Sequence, residues 1–375
     1  MLVVRRLIDI AVILLIAVIA FGWWRNRSAP AAPPPKPAAF DWSSVSTRDL
    51  DIASVFLTAR ERGLRQAMDS LRALAAKDTT LDAAGHMISH ALGRFAIANN
   101  GHDPAVLTQC TPAFESGCYH GVLEGYMMSL PQVDPAKVAN MCAAYDKPGA
   151  TRVTAVECAH GLGHGFLEHY GYALAPSLQG CDAFTSTELR GECYDGVFME
   201  NSMRGLGMPA MHVGDSAVAM QMGEMKHMEP DKDQMTRFRA SDLQFPCDSV
   251  AAQYQPSCWS YQPLAIVNLT HADWNKTLDA CGAAPAASQA RCYQGYGKQS
   301  MAWFGWNEHR VISMCSRAGA HADDCLAGGV EALIDREQAD TGALRFCGEV
   351  PDAARDKCIA AAHARAADLL AAPAR

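Results

Sequence analysis

Charge is scarce in this 375-residue chain: 19% of residues are Asp, Glu, Lys or Arg, against 49% hydrophobic. That balance excludes disorder for most of its length. A basic excess is also missing, since 32 Lys and Arg face 40 Asp and Glu for a net charge of −8. Nucleic-acid binding, which needs a basic footprint, is therefore not expected. No Cys-x2-Cys pair occurs, so thiolate zinc and iron–sulfur sites lack their usual spacing. No Cys-x-x-Cys-His occurs either, and neither haem nor a nucleotide cofactor is expected. What is present in quantity is cysteine itself, 14 residues. An even and high count points to disulfides and an oxidising compartment.

Residues Leu7 to Trp24 form an apolar run whose only charge is Asp9, preceded by Arg5 and Arg6 and followed by Arg25 and Arg27. About 18 apolar residues can just span a bilayer, and the paired Trp23 and Trp24 suit its interface. A cleaved signal peptide, cut after Ala20, is the alternative, although tryptophans and arginines make a poor cleavage region. The expectation is a signal anchor over residues 1–28, crossing the inner membrane once, with the rest of the chain on the periplasmic side. Pro30, Pro33, Pro34, Pro35 and Pro37 then mark residues 29–42 as an extended Pro/Ala spacer. A helical repeat domain is expected over 43–370.

The cysteines fall into seven consecutive pairs: Cys110/Cys118, Cys142/Cys158, Cys181/Cys193, Cys247/Cys258, Cys281/Cys292, Cys315/Cys325 and Cys347/Cys358. The second of each pair opens a similar phrase, as in Cys118-Tyr-His-Gly, Cys158-Ala-His-Gly, Cys193-Tyr-Asp-Gly, Cys292-Tyr-Gln-Gly and Cys325-Leu-Ala-Gly. Cys258-Trp-Ser-Tyr and Cys358-Ile-Ala-Ala are degenerate copies. Ala84, which heads Ala84-Gly-His, reads as an eighth copy without cysteine. The period is that of a helical hairpin. The fold expected is all-α: about eight disulfide-stapled hairpin units of about 33–40 residues, stacked into an α/α toroid or a curved solenoid. Each unit would be a helix A, a loop of about ten residues and a helix B, with the disulfide joining the end of A to the start of B. The Cys110-x7-Cys118 placement resembles cysteine-rich bacterial helical repeat proteins that bridge helices within a repeat. Their Ala- and Tyr-containing helix signature is absent, so the resemblance implies no function.

Counting from the second cysteine as position zero, positions +2 and +6 give His86/His90, His120/Glu124 and His160/His164. The fourth unit gives Asp195 and Met199, with Glu200 adjacent. Residues four apart share a helical face, and two imidazoles so spaced can grip one ion. Three successive units carrying such pairs predict a shared metal site of His86, His90, His120, Glu124, His160 and His164. The glycines at 121, 161, 163 and 165 reflect either close helix packing or room for a ligand. Gln294, Lys298 and Glu331 occupy equivalent positions in later units and are candidates for an opposite, substrate-orienting wall.

A gap of 65 residues between Cys193 and Cys258 implies an insertion at about 203–240 that holds eight of the 17 methionines. Met208, Met211, Met220, Met222, Met225 and Met228, with His227, are candidate soft copper ligands; a plastic apolar flap is the alternative. Together these features predict a membrane-anchored metalloprotein acting as a copper- or non-haem-iron-dependent oxidoreductase on a small-molecule or peptide substrate. The paired histidines resemble the ligand arrangement of coupled dicopper and histidine-rich di-iron oxidases. Zinc is the alternative ion, serving a hydrolase with Glu124, Asp195 or Glu200 as catalytic carboxylates. A copper-buffering protein and a non-enzymatic scaffold are the remaining alternatives.

Overall fold

The computed structural model describes residues 47–146, 152–205 and 238–370. The regular elements among them are all helical. The described chain begins with α1 (Thr47–Arg62), α2 (Leu64–Ala75) and α3 (Thr79–Asn99). A 3-10 helix, Pro104–Gln109, leads to α4 (Gly117–Ser129), α5 (Pro135–Ala143) and α6 (Val153–His169). Next come α7 (Leu174–Cys181) and α8 (Thr187–Gly205), and then, beyond 237, α9 (Gln255–Leu269), α10 (Trp274–Ala283) and α11 (Ala286–Trp303). The last four are α12 (Glu308–Cys315), α13 (Ala322–Glu337), α14 (Thr341–Glu349) and α15 (Asp352–Leu370). The expected anchor (1–28), the spacer (29–42) and the candidates Met208, Met211, Met220, Met222, Met225, His227 and Met228 lie outside the described residues. Among the described residues no helix is long and apolar enough to cross a membrane.

Short polar side chains set the helix starts. Asp78, Asp134, Asp273 and Asn307 each accept a backbone N–H from the first turn of α3, α5, α10 and α12, which satisfies donors the helix itself cannot. Several long helices stop where two successive residues turn left-handed: Gly101 and His102, Gly171 and Tyr172, His271 and Ala272, Gly305 and Trp306. No helix continues through that backbone conformation.

All seven cysteine pairs are bridged as their spacing predicts. The bridges are Cys110–Cys118, Cys142–Cys158, Cys181–Cys193, Cys247–Cys258, Cys281–Cys292, Cys315–Cys325 and Cys347–Cys358, with Cα–Cα separations of 5.4 to 5.6 Å. No cysteine is free. In five of them the first cysteine closes a short helix (α5, α7, α10, α12, α14) and the second lies inside the next long helix. The ten-residue loops expected from the spacing are therefore mostly helix: Ala284 and Pro285 alone separate α10 from α11, and Val350 and Pro351 separate α14 from α15.

The second cysteine was expected at the start of its helix, and that expectation needs correcting. Cys325 lies about one turn inside α13, which begins at Ala322, and Cys358 nearly two turns inside α15, which begins at Asp352. The reason is packing: α12 lies along the first turns of α13, and α14 along those of α15. A cysteine that faces the end of the short helix must therefore stand some way along the long one. Two units depart further, since Cys110 follows a 3-10 helix and Cys247 lies in irregular chain before α9. Closing loops this short contributes on the order of 2–3 kcal/mol per bridge.

The long helices pack in chain order, α3 on α4, α4 on α6, α6 on α8, α8 on α9, α9 on α11, α11 on α13 and α13 on α15. The last one returns to the middle of the row, where α15 touches α6 and Arg365 reaches Glu192 at 3.5 Å. Glycine governs these contacts. A Cβ on Gly196 would strike the carbonyl of His160, one on Gly328 the carbonyl of Gln294, and one on Gly295 the carbonyl of Ser260. In each case a glycine at +3 meets the carbonyl at +2 of the preceding long helix. The phrase after Cys358 lacks this glycine, and Ala361 stands in its place. Of the glycines at 121, 161, 163 and 165, Gly121 and Gly163 meet backbone carbonyls, while Gly161 and Gly165 meet the side chains of Leu123 and Met127, so close helix packing and not space for a ligand explains them.

The same rule corrects the first unit. Gly121 meets the carbonyl of His90, which makes His90, not His86, the +2 residue of α3. Position zero is then Ile88, and the Ala84 assignment is one helical turn early. His86 lies one turn ahead of the slot shared by His90, His120 and His160, and Arg94 takes the +6 slot beside Glu124 and His164.

Overpacking of this kind costs ~1–3 kcal/mol, so Gly121→Ala should lower the unfolding free energy by that amount in chemical denaturation. Gly191, in α8 with open space at its Cβ position, provides the control. Gly191→Ala should be neutral or stabilising by up to ~1 kcal/mol, the ordinary helical preference of alanine.

Candidate metal centre

The aligned slots bring five imidazoles into one contiguous cluster. Ring centroids are 4.7 Å apart for His86 and His90, 5.0 Å for His90 and His120, and 5.0 Å for His120 and His160. His164 stacks on His120 at 4.7 Å. Three groups offer ligand atoms within 4.8 Å of one another: His86/His90/His120, His120/His160/His164 and Glu124/His164/Glu200. All six residues predicted as metal ligands are therefore gathered. Buried His/Glu clusters of this kind can hold a metal ion.

Hydrogen bonding fixes ring orientations in the first group, while in the second His120 Nε2 and His164 Nε2 are buried without a hydrogen-bond partner. Nδ1 of His86 lies 2.9 Å from the carbonyl of Phe114, which can only accept, so that nitrogen carries the hydrogen. Nδ1 of His90 lies 3.2 Å from Oε2 of Glu124, which again draws the hydrogen to Nδ1. In the neutral rings both Nε2 atoms then present lone pairs, and they face each other at 3.1 Å with no proton to share. Nδ1 of His120 comes within 3.2 Å of the same Nε2 of His90. Metal–imidazole bonds of ~2.0–2.1 Å would let one ion take neighbouring nitrogens at such separations with an angle of about 100°. Ligating histidines commonly turn their other nitrogen to a carboxylate or carbonyl, as His86 and His90 do here.

The electrostatics suit neutral ligands. Burial, with help from nearby His90, pushes His86 down to about 3. Burial and the neighbouring imidazoles His164 and His160 hold His120 well below its ordinary value, and His160 is depressed in the same way by burial, His164 and Lys298. His164 differs. Burial opposes its proton, but a 3.1 Å hydrogen bond to Glu200 and the charge of Glu124 outweigh that, and its pKa is raised. Its Nδ1 hydrogen joins Glu200 without an ion, while its Nε2 is buried with no hydrogen-bond partner.

The predicted catalytic carboxylates are placed differently from expectation. Glu124 is buried against Arg94, whose Nε donates to Oε2 at 2.7 Å. Burial would raise its carboxyl, but Arg94 and then His90 hold it well below the usual range. It touches His90 on the nitrogen opposite the one that faces the triad, so it orients that ring and does not reach the ion position as a base. Glu200 is held on His164. Asp195 belongs to none of the ligating groups; it borders a separate open cavity with Arg291 and Arg190.

Two cavities flank the cluster. One of about 150 Å³ is bordered by His120, His160, Met199, Tyr261 and Lys298. The other, about 860 Å³, is a cleft bordered by His86, Phe114 and Trp306. Lys298 donates to Glu331 at 2.6 Å and to Asp335 at 3.3 Å, and Gln294 donates to Glu331 at 2.8 Å. Gln294, Lys298 and Glu331 thus form one network, but their polar atoms are spent on each other. Arg365 joins it through Asp335 at 2.7 Å.

Arg94, Glu157, Glu168, Glu192 and Asp335 were not anticipated from the sequence. Glu157 and Glu192 sit at −1 and Glu168 and Asp335 at +10, so the same face read one turn further each way contains them; Arg94 was hidden by the one-turn misalignment of α3. Arg94 ties Glu124 to Glu168, at 2.8 Å from the latter.

No protein-family model matches this chain. No curated protein and no solved structure is similar to it either.

Burial would raise the Glu331 carboxyl, but Lys298, Arg365 and Arg291 hold it at about 2, below the ordinary 4.5. A depressed acid contributes stability above its unfolded pKa and loses it as pH falls through the folded one. Glu331→Gln should therefore destabilise the fold at neutral pH, by on the order of 3 kcal/mol for a broken buried pair. The gap between wild type and variant should close between pH 4.5 and 2, as read by denaturation at each pH.

Proposed function

We propose that this chain is a metal-dependent oxidoreductase in which His86 Nε2, His90 Nε2 and His120 Nδ1 hold a copper or non-haem iron ion. The observation that carries this reading is the approach of the His86 and His90 lone-pair nitrogens to 3.1 Å in a buried cluster, with His120 Nδ1 at 3.2 Å. A cation relieves the opposition of both Nε2 lone pairs, whereas a hydrogen on His120 Nδ1 would satisfy that of His90 alone. Three imidazoles leave coordination positions for a small substrate, and the flanking cavities supply the space. An ion there would supply electron transfer to or from that substrate. The chain's own residues do the rest: Glu124 and the Phe114 carbonyl fix the two ring orientations, Arg94 keeps Glu124 ionised, and the apolar helix contacts exclude water.

Zinc fits the same nitrogens, but the hydrolase reading needs a base at the ion. Glu124 stands behind His90 and Glu200 is engaged by His164, so the carboxylates that favoured hydrolysis are occupied elsewhere. A buffering protein would saturate its ligand shell, and the adjoining cavities argue for an open one.

The same proposal includes the wider architecture. The stapled helix pairs are read as repeats curving into a toroid or tight solenoid; support comes from the chain-order packing of long helices and the return of α15 onto α6. The apolar N-terminal run is read as an inner-membrane anchor and the disulfide-rich domain as periplasmic; fourteen fully paired cysteines support an oxidising compartment.

Elemental analysis of the full chain purified from its native compartment tests the reading. Copper or iron at near one ion per chain is expected, falling below a tenth of that in His90→Ala and His120→Ala with the helical circular-dichroism signal retained. Zinc at full occupancy would move the assignment to a hydrolase. No metal after reconstitution with any of the three would end it.

A further inference from the structure

Most cations bordering the two cavities are already matched. Lys298 pairs with Glu331 and Asp335, Arg365 with Asp335, Arg345 with Glu308 and Arg72 with Asp69. Arg336 is the exception. It has no ion pair among the described residues, and its Nη1 is buried without a hydrogen-bond partner. A buried guanidinium nitrogen left unpaired costs free energy unless something else meets it. Arg336 also borders both cavities, the cleft that contains His86 and the smaller space that contains His120 and His160. Its guanidinium carbon lies 4.0 Å from the centroid of the Trp306 ring, a cation–π contact that holds the group in place. Glu115 feels the Arg336 charge, but burial pushes its carboxyl upward, toward the neutral form.

We propose that Arg336, held against Trp306, anchors the carboxylate of a small anionic substrate beside the imidazole cluster. A planar guanidinium takes both oxygens of a carboxylate in a bidentate pair. One unpaired positive charge matches one negative charge. A phosphate dianion would add excess charge to a cleft already bordered by Asp82, Glu308 and Glu337. This deepens the oxidoreductase reading by naming its substrate class. It rests on that reading for the ligand's approach to an ion, whereas the contact with Arg336 does not depend on metal.

The test uses the full chain, metal-loaded and chelator-treated, titrated calorimetrically with acetate, benzoate and inorganic phosphate at fixed ionic strength. A saturable carboxylate site is expected in the wild type. Arg336→Gln should weaken it at least about tenfold, equivalent to ~1.4 kcal/mol, and Arg336→Lys should restore part of the loss. Arg72→Gln, at the rim and paired with Asp69, should bind as wild type does. An independent readout on the wild type is protection: bound carboxylate should shield Arg336 from phenylglyoxal, scored by peptide mass. Carboxylate affinity unchanged in Arg336→Gln, absence of protection, or phosphate binding Arg336 more tightly than either carboxylate would each overturn the proposal. Metal content separates the two readings. Arg336→Gln should keep the wild-type ion, and protection of Arg336 in a chain that binds no metal would sustain the anchor while ending the metal assignment.

Discussion

Everything about the cluster depends on glycine meeting a carbonyl where long helices cross. Ordinary side chains keep helix axes about 8–10 Å apart; a glycine at +3 removes the Cβ that would otherwise strike the neighbour's backbone. Because Gly121, Gly196, Gly295 and Gly328 each meet a carbonyl of the preceding long helix, the contact fixes axial register as well as distance. Residues at +2 and +6 of successive helices are therefore forced side by side. The disulfides act on the same register from the other end, locking each short helix to the long one that follows it. Imidazoles on three different helices approach within hydrogen-bonding distance because backbone contacts have already placed their Cα atoms.

The buried face divides by chemistry. Along α3, α4 and α6 it carries imidazoles; burial favours the neutral form of His86, His120 and His160, whereas Glu200 and Glu124 raise His164. Along α11, α13 and α15 it carries Lys298, Glu331, Asp335 and Arg365, which cannot be neutralised so easily and pair instead. Arg94 brings this second solution into the first half, where it compensates Glu124 and Glu168. Around the two cavities, each Lys and Arg among the described residues except Arg336 makes an ion pair. An arriving ligand therefore meets one guanidinium that no ion pair has claimed.

Much of this was legible in the sequence. The cysteine spacing gives all seven bridges, because a disulfide between a helix end and the next helix tolerates only short separations. It does not give the helix starts: Cys325 and Cys358 sit one and nearly two turns inside their helices, since a bridge marks where two helices touch and not where one begins. The recurrence of histidine four residues apart identifies five imidazoles that do converge. What could not be read is which nitrogen of a ring faces which neighbour, and that decides roles. Glu124 looks like a ligand or base at +6, yet it contacts the outer nitrogen of His90. The register of α3 was misread because that helix has no cysteine to mark its zero, and Ala84-Gly-His imitates the phrase one turn early. The contact of Gly121 with the His90 carbonyl, and that of Gly93 with the Cys118 carbonyl, show that Ile88 is the true equivalent. Asp195 shares the +2 slot but borders a different cavity, since a slot fixes neighbours along the row and not a common point for all of them.

The cluster is hard to explain as a hydrogen-bond network alone. Such a network alternates donors and acceptors, as the Nδ1 hydrogen of His164 does on Glu200. Between His86 and His90 the alternation fails. The two Nδ1 hydrogens of these rings are committed to Phe114 and Glu124, which leaves Nε2 lone pairs opposed at 3.1 Å. Protonating His86 would relieve that opposition, but burial and the adjacent imidazoles work against it. A cation brought from outside relieves it without adding a proton to a site that disfavours one. The same burial that makes His86 a poor base makes it a good ligand, and the carbonyl behind His86 and the carboxylate behind His90 are the partners a ligating histidine needs.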